Sequence, residues 1–201
     1  MASHYGTDLN EFIVGADGDD TLDGAGGKDT IKGFAGNDLL YGGIGSDLLY
    51  GDDGDDLIDG GHHGDQIHGG LGSDTLLGGL GRDTLYGDLT NATIGSADLV
   101  MAGDAVDSVH GGGGNDTLCG EGGLDFLFGG NGDDSVCGGS GNDIIEGNDG
   151  DDSLYGEDGS DAISGGGGNN LIDCGAGADR VYGGGFVDTV HGGEGRDDVR
   201  G

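Results

Sequence analysis

A large aliphatic residue returns every ninth position along almost the whole chain, and the residues between are mostly glycine and acid. The series runs Leu22, Ile31, Leu40, Leu49, Ile58, Ile67, Leu76, Leu85, Val100, Val109, Leu118, Leu127, Val136, Ile145, Leu154, Ile163, Ile172, Val181, Val190 and Val199. Two residues ahead of each stands an Asp or, once, an Asn. From Gly15 to Arg200 the frame reads G-G-x-G-x-D-x-U-x, where U is the aliphatic. Six residues rich in Gly and Asp predict a turn. The remaining three, such as Thr21-Leu22-Asp23, suffice only for a very short strand. Alternation puts the eighth residue on one face and the seventh and ninth on the other. One aliphatic per unit makes a core only if many units stack. Two units per turn of the coil predict two parallel sheets with the eighth-position residues meeting between them. The array then spans about ten turns, roughly 48 Å at a strand spacing of ~4.8 Å.

The sixth position is filled by Asp20, Asp29, Asp38, Asp47, Asp56, Asp65, Asp74, Asp83, Asp98, Asp107, Asp116, Asp125, Asp134, Asp143, Asp152, Asp161, Asn170, Asp179, Asp188 and Asp197. Composition raises the question of what holds such a chain together. It has 55 Gly, no Pro, and 40 acidic against 6 basic residues, for a formal charge of -34. Without the period, this would read as disorder, because so few apolar side chains cannot offset chain entropy. Something must supply binding energy and cancel charge. The sign of the field excludes nucleic acid and anionic membranes. Divalent cations fit, since carboxylate and carbonyl oxygens suit hard ions such as Ca²⁺. Phosphate binding by the Gly-rich loops is the competing reading, but each loop carries an acid and lacks a P-loop Lys.

At this point the chain resembles the RTX family, the hemolysin-type calcium-binding repeats, over nearly its whole length. The resemblance implies an all-β fold, a right-handed parallel β-roll. It also implies Ca²⁺ between loops of successive turns on one side, held by sixth-position carboxylates and loop main-chain carbonyls. Asp20 would then pair with Asp38, Asp29 with Asp47, and so on at intervals of eighteen. Every sixth-position Asp except Asp98 is assigned as a metal ligand on this basis, for on the order of ten ions. The plainer alternative, Asp residues in Asx-turns facing solvent, leaves unexplained why so much like charge is stacked a few ångströms apart.

The pattern breaks in a few places. Six residues are inserted after Gly87-Asp88, and the next unit has Ala102 and Ala105 in place of two glycines. This seam, within 87–110, is expected to bulge and to divide the calcium-filled array into two blocks. His63 replaces a loop glycine, Phe186 and Val187 fill two loop positions, and Asn170 removes a charge. Residues 1–14 read as an N-terminal cap in which Gly6 to Val14 form a degenerate unit, with Ile13 at the core position and Glu11 at the Asp position. Residues 15–201 form the roll. No matching cap is visible at Gly201, and the chain is expected to be a domain of a longer protein.

Candidate chemistry beyond calcium is sparse. No nucleophile, base and orienter stand in a local signature, and the carboxylate pairs repeat where an active site would occur once. The chain is therefore expected not to be an enzyme by itself. No apolar run approaches the ~20 residues of a membrane span, and Met1 to Asn10, without a basic start or an apolar stretch, is not expected to serve as a signal peptide. Asn91-Ala92-Thr93 matches a glycosylation triplet, which chance explains. His4, His62, His63, His68, His110 and His191 form no metal motif. The ninth position reads Tyr50, His68, Tyr86, His110 and Phe128 on consecutive turns, a ladder of rings. Stacking on a half-exposed strand surface explains it best. A lateral contact for a second copy or a parent-protein domain is the functional alternative. Cys119 and Cys137, eighteen apart, are expected to form a disulfide in an oxidising compartment, with Cys174 unpaired.

The resulting expectation is a secreted, calcium-dependent folding module that stays extended in the cytosol and folds outside the cell. In the RTX family that property serves type I secretion. An auxiliary domain of a secreted protease, lipase or epimerase is the second reading, and an adhesin or surface-layer segment the third. Ice binding is disfavoured because loop position three varies through Asp17, Gly26, Ala35, Ile44 and Asp53.

Overall fold

The computed structural model describes residues 3–88 and 95–201. Among them the only regular elements are strands, and every strand pairing is parallel. The chain coils so that alternate units fall in alternate sheets. One sheet is 11-stranded; the other is 13-stranded, with two short strands, Ala176–Gly177 and Glu194–Gly195, lying off its main path. Each strand pairs with its equivalent one turn on. Leu22 faces Leu40, and Leu49 faces Ile67, at the interval of eighteen that two units per turn require.

The repeat makes about eleven turns. The extra turn over the expected ten comes from the N-terminus. Phe12–Val14 pairs with Thr30–Lys32, and Ser3–Tyr5 pairs with Thr21–Asp23. Ile13 is buried in the core, while the position opposite Leu22 is taken by His4, which is exposed. The apolar column therefore ends at this side on an imidazole.

Strands are longer than the three residues expected. Eleven of the 24 described run six, as in Thr30–Ala35 and Leu48–Asp53, continuing through the first three residues of the following unit. The corner is crowded at the first-position glycine. It points inward, and a Cβ on Gly24 would lie 2.5 Å from Asp29 Oδ2 and 2.7 Å from the Gly42 carbonyl oxygen. Pairing past the corner does not itself depend on glycine, since Leu99–Asp104 runs six residues through Ala102 while the strand before Gly24 stops at Asp23. The core is a single column of eighth-position residues from Ile13 to Val181, all fully or almost fully buried, with Val190 partly buried and Val199 exposed at the C-terminal end.

The expected division of the array at the seam is not found in the backbone. Leu76 pairs with Val100 and Leu85 with Val109, so the in-register interval widens from 18 to 24 across the seam. Most of the insertion, 89–94, and the Asn91 triplet lie outside the described residues. The loop departures keep the local backbone conformation. His63, Ala105 and Phe186 take positive φ values of 78°, 106° and 71° in the place of glycine. The turn is thus dictated by its stacked neighbours, at a cost of about 1–2 kcal/mol for each such residue.

Candidate metal sites along the two edges

Units are counted from Gly15, so loops of odd units stack along one edge of the roll and loops of even units along the other. On each edge the sixth-position carboxylates form one continuous ladder. The N–H of Asp20 donates to Oδ1 of Asp38 at 2.7 Å, that of Asp38 to Asp56, and that of Asp56 to Asp74. The file crosses the seam from Asp74 to Asp98 and runs on through Asp116, Asp134, Asp152 and Asn170 to Asp188. The other edge starts at Glu11, whose N–H donates to Asp29 at 2.7 Å. It passes Asp47, Asp65, Asp83, Asp107, Asp125, Asp143, Asp161 and Asp179 to Asp197. Asp98, left out of the expected ligand set, holds the same place as the others.

These side chains are turned inward. From Asp20 to Asp179 every member of both files is buried, and Asp188 and Asp197 are half-buried. Oδ1 is satisfied by the ladder. In sixteen of them, from Asp29 to Asp161 and including Asp179, Oδ2 is buried without a hydrogen-bond partner. A buried carboxylate oxygen left unpaired costs several kcal/mol. Burial accordingly pushes the carboxyls from Asp29 to Asp161 up, against the pull of the ladder N–H: Asp65 to about 8, and Asp74, Asp98, Asp116, Asp125 and Asp134 to about 7. Neighbouring carboxylates in each file raise them further, Asp83 and Asp47 acting on Asp65.

The surroundings of Oδ2 are oxygen. The space beside it that a first-position Cβ would fill is bounded by the carboxylate and by the carbonyl of the glycine one turn on, as at Gly24, Gly120 and Gly138. One unit shows what a neutral side chain does in this setting. Asn170 keeps the ladder bond through Oδ1, while its Nδ2 donates to the Gly167 carbonyl at 3.3 Å. A carboxylate in its place sets acceptor against acceptor, which only a proton or a cation resolves. The donor set, one carboxylate with main-chain carbonyls, is the hard-oxygen type that Ca²⁺ takes. Among the described residues no three His, Cys, Asp or Glu side chains converge, so such an ion would draw heavily on backbone oxygen. In two units a buried side chain stands in the first-position cradle, Ala102 ahead of Asp107 and Cys174 ahead of Asp179.

Sequence reading missed a second ladder, at the fifth position, long on the odd edge and on the even edge reduced to rungs at Asn10–Lys28 and Asn142–Ser160–Ala178. On the odd edge the N–H of Asn37 donates to Asp19 Oδ1, that of Asp55 to Asn37, and that of Ser73 to Asp55. Beyond the seam Asn115, Asp133, Asp151 and Asn169 continue it. Its signal is present at a period of eighteen, not nine: the even units carry Lys28, Ser46, Gly64 and Arg82 at this position. Asp88 was also missed. Its buried carboxylate accepts the Ser96 N–H at 3.2 Å and so ties down the chain that returns from the insertion.

The ring ladder is formed as a stack. Centroids of Tyr50, His68, Tyr86, His110 and Phe128 follow one another at 4.7–5.0 Å with near-parallel planes, and Lys32 Nζ caps Tyr50 at 4.2 Å. The inner ring faces are spent on one another, which favours the stiffening role. All three cysteines are free thiols, so the expected Cys119–Cys137 bridge is not formed. In-register parallel strands hold side chains near ~4.8 Å apart, beyond the ~3.5–4.5 Å that a disulfide needs between Cβ atoms.

No individually curated protein matches this sequence. The model for the RTX calcium-binding nonapeptide repeat (4 copies), in contrast, matches at residues 5–33, 32–61, 63–94, 95–127, 120–145, 138–172 and 175–201. With a file of inward carboxylates on each edge, broken only by Asn170 among the described residues, and that match from end to end, the chain belongs to the RTX family of calcium-binding nonapeptide repeats.

Proposed function

We propose that this repeat module is a calcium-operated folding switch, with the sixth-position Asp residues as its ligands. The observation that carries the reading is the set of sixteen buried, partnerless Oδ2 atoms. At neutral pH and without a cation, each edge sets a file of carboxylates against desolvation and mutual repulsion. The core, one aliphatic per unit, is too thin to outweigh that. Bound Ca²⁺ supplies the positive charge that each orphan oxygen and its neighbouring carbonyls lack, and binding energy becomes folding energy. Ligands proposed here are Asp20 through Asp197 of both files, Asp98 included, for on the order of ten ions. Asn170 weakens its site by donating where an ion must be accepted. Glu11 and His4 serve as the N-terminal cap, covering the first turns with polar groups.

Sites of the extracellular class, with affinities of about 0.1–1 mM, are empty in a cytosol and filled outside. That supports a chain that leaves the cell unfolded and folds on arrival, as a structural part of a larger secreted protein and without catalysis of its own. Among the described residues no helix is long and apolar enough to cross a membrane. Far-ultraviolet circular dichroism tests the switch. In chelator at neutral pH the full chain gives a coil spectrum, and millimolar Ca²⁺ brings β signal cooperatively, whereas Mg²⁺ substitutes poorly. A chain equally folded in chelator would defeat the reading.

A further inference from the structure

The sequence holds two methionines and three cysteines, and three of these five sulfurs fall on consecutive turns of one sheet face. Met101 pairs in register with Cys119, and Cys119 with Cys137. All are ninth-position residues on the face away from the core, and all are half-buried. Leu77 and Tyr155 occupy the next places on either side, so the sulfur row is bounded.

Side chains on in-register parallel strands leave the sheet about 4.8 Å apart. That spacing is too wide for an unstrained disulfide, but it is close to twice a metal–thiolate bond of ~2.3 Å, or ~4.6 Å. An ion seated between the two thiolates needs no movement of the strands. The hydrogen bond from Cys137 lowers the Cys119 thiol to about 7, so of the two Cys119 is the readier thiolate. Cys137 holds its proton more tightly, raised by its hydrogen bond to Cys119, by burial and by Glu157, so the cation must displace that proton. No third His, Cys, Asp or Glu side chain joins them as a ligand group among the described residues. The row therefore lacks the ligands of a tetrahedral zinc site, whereas two thiolates flanked by a thioether are a soft, low-coordinate set.

We propose that Met101, Cys119 and Cys137 form a binding site for one soft monovalent cation of the Cu(I) class, on the sheet face and apart from the hard-cation files on the edges. Binding exchanges the two thiol protons for the ion and changes no oxidation state. Calcium-loaded, fully reduced protein is titrated with Cu(I) under anaerobic conditions against a chromophoric Cu(I) chelator. The expected result is one tightly held Cu(I) per chain with thiolate-to-copper absorption. Cys119→Ser and Cys137→Ser each abolish it, and Met101→Leu weakens it about tenfold, equivalent to ~1.4 kcal/mol. Cys174→Ser leaves it unchanged, and Zn²⁺ in equal amount does not displace the copper. The calcium midpoint by circular dichroism, measured on every variant, separates loss of the site from loss of the fold. Failure of the wild type to compete with the chelator overturns the proposal. So does retention of Cu(I) by a Cys119→Ser, Cys137→Ser double variant, or loss of it in Cys174→Ser at an unchanged calcium midpoint.

Discussion

Asn115 and Asp116 are neighbours in sequence, and each uses Oδ1 to accept a main-chain N–H from an adjacent turn. Their ladders run in opposite senses: Asp133 N–H reaches back to Asn115, whereas Asp98 N–H reaches forward to Asp116. The difference lies in burial. The fifth-position side chains, from Asp19 to Asn169, are exposed, so whatever the ladder leaves over is met by water. Sixteen of the sixth-position carboxylates are buried with a second oxygen that has no partner among the protein atoms, whereas Asp20 Oδ2 accepts the Ala16 N–H. The same residue type one position apart is thus a turn fastener on the outside and a candidate ion ligand on the inside. Position in the fold, rather than the carboxylate itself, creates the demand for a cation.

The broadest test uses protons in place of calcium. The buried file has folded-state carboxyls raised to about 6 at Asp56, Asp83, Asp152 and Asp161, about 7 in the central turns and about 8 at Asp65. A group whose pKa is raised by folding stabilises the fold fully below its unfolded value of 3.8 and ceases to do so as pH rises through the folded value. In chelator, β signal should therefore grow as pH falls from 8 to about 4. In calcium the sign reverses, and ion affinity should weaken over the same range because protons compete for the same oxygens. A chelated chain indifferent to pH between 8 and 4 would mean that these carboxylates are not buried as described.

The next test separates the two ladders directly. Asp116→Ala removes a buried rung and an ion ligand, and should cost the calcium-loaded roll ~2–4 kcal/mol in denaturant unfolding. Asn115→Ala, one residue away, should cost within about 0.5–1 kcal/mol. Equal losses would erase the distinction between inward and outward rungs.

Glycine substitution sharpens the same contrast in the loops. On Gly120 a Cβ would stand 2.6 Å from Asp125 Oδ2 and 2.6 Å from the Gly138 carbonyl, so Gly120→Ala should destabilise by about 1–3 kcal/mol and weaken calcium binding. On Gly122 the nearest atom is Ser140 Oγ at 3.4 Å, and Gly122→Ala should stay within about 0.5 kcal/mol. The smallest effect has the opposite sign. His63→Gly relieves a non-glycine residue at φ 78° and should stabilise the roll by about 1 kcal/mol in the calcium-loaded state.

Much of the architecture was legible because a single spacing encodes it. The interval between Leu22 and Ile31 sets the unit, and that between Leu22 and Leu40 sets the turn and the strand register. Glu11 and Ile13 could be read as a worn copy of the same unit, since one residue fits each key position. Other features were out of reach at a period of nine. The fifth-position ladder is nearly continuous on one edge and fragmentary on the other, so it emerges when alternate units are compared. Asp98 looked doubtful beside an insertion, yet the register widens from 18 to 24 across it and leaves the carboxylate in its file. The disulfide was inferred from a Cα separation, while the parallel strands fix the direction and spacing of the side chains as well.

By itself the sequence determined the repeat length, the core column, the acidic character of the edges and the family, because each is a property of one unit copied along the chain. Tertiary structure decided what stacking creates between copies. It turned the sixth position inward and the fifth outward, and it left one oxygen of each central carboxylate without a donor. It also lined Met101, Cys119 and Cys137 along a single face. Those outcomes depend on distances between residues eighteen or twenty-four apart in the chain, and such distances exist only once the turns are laid one on another.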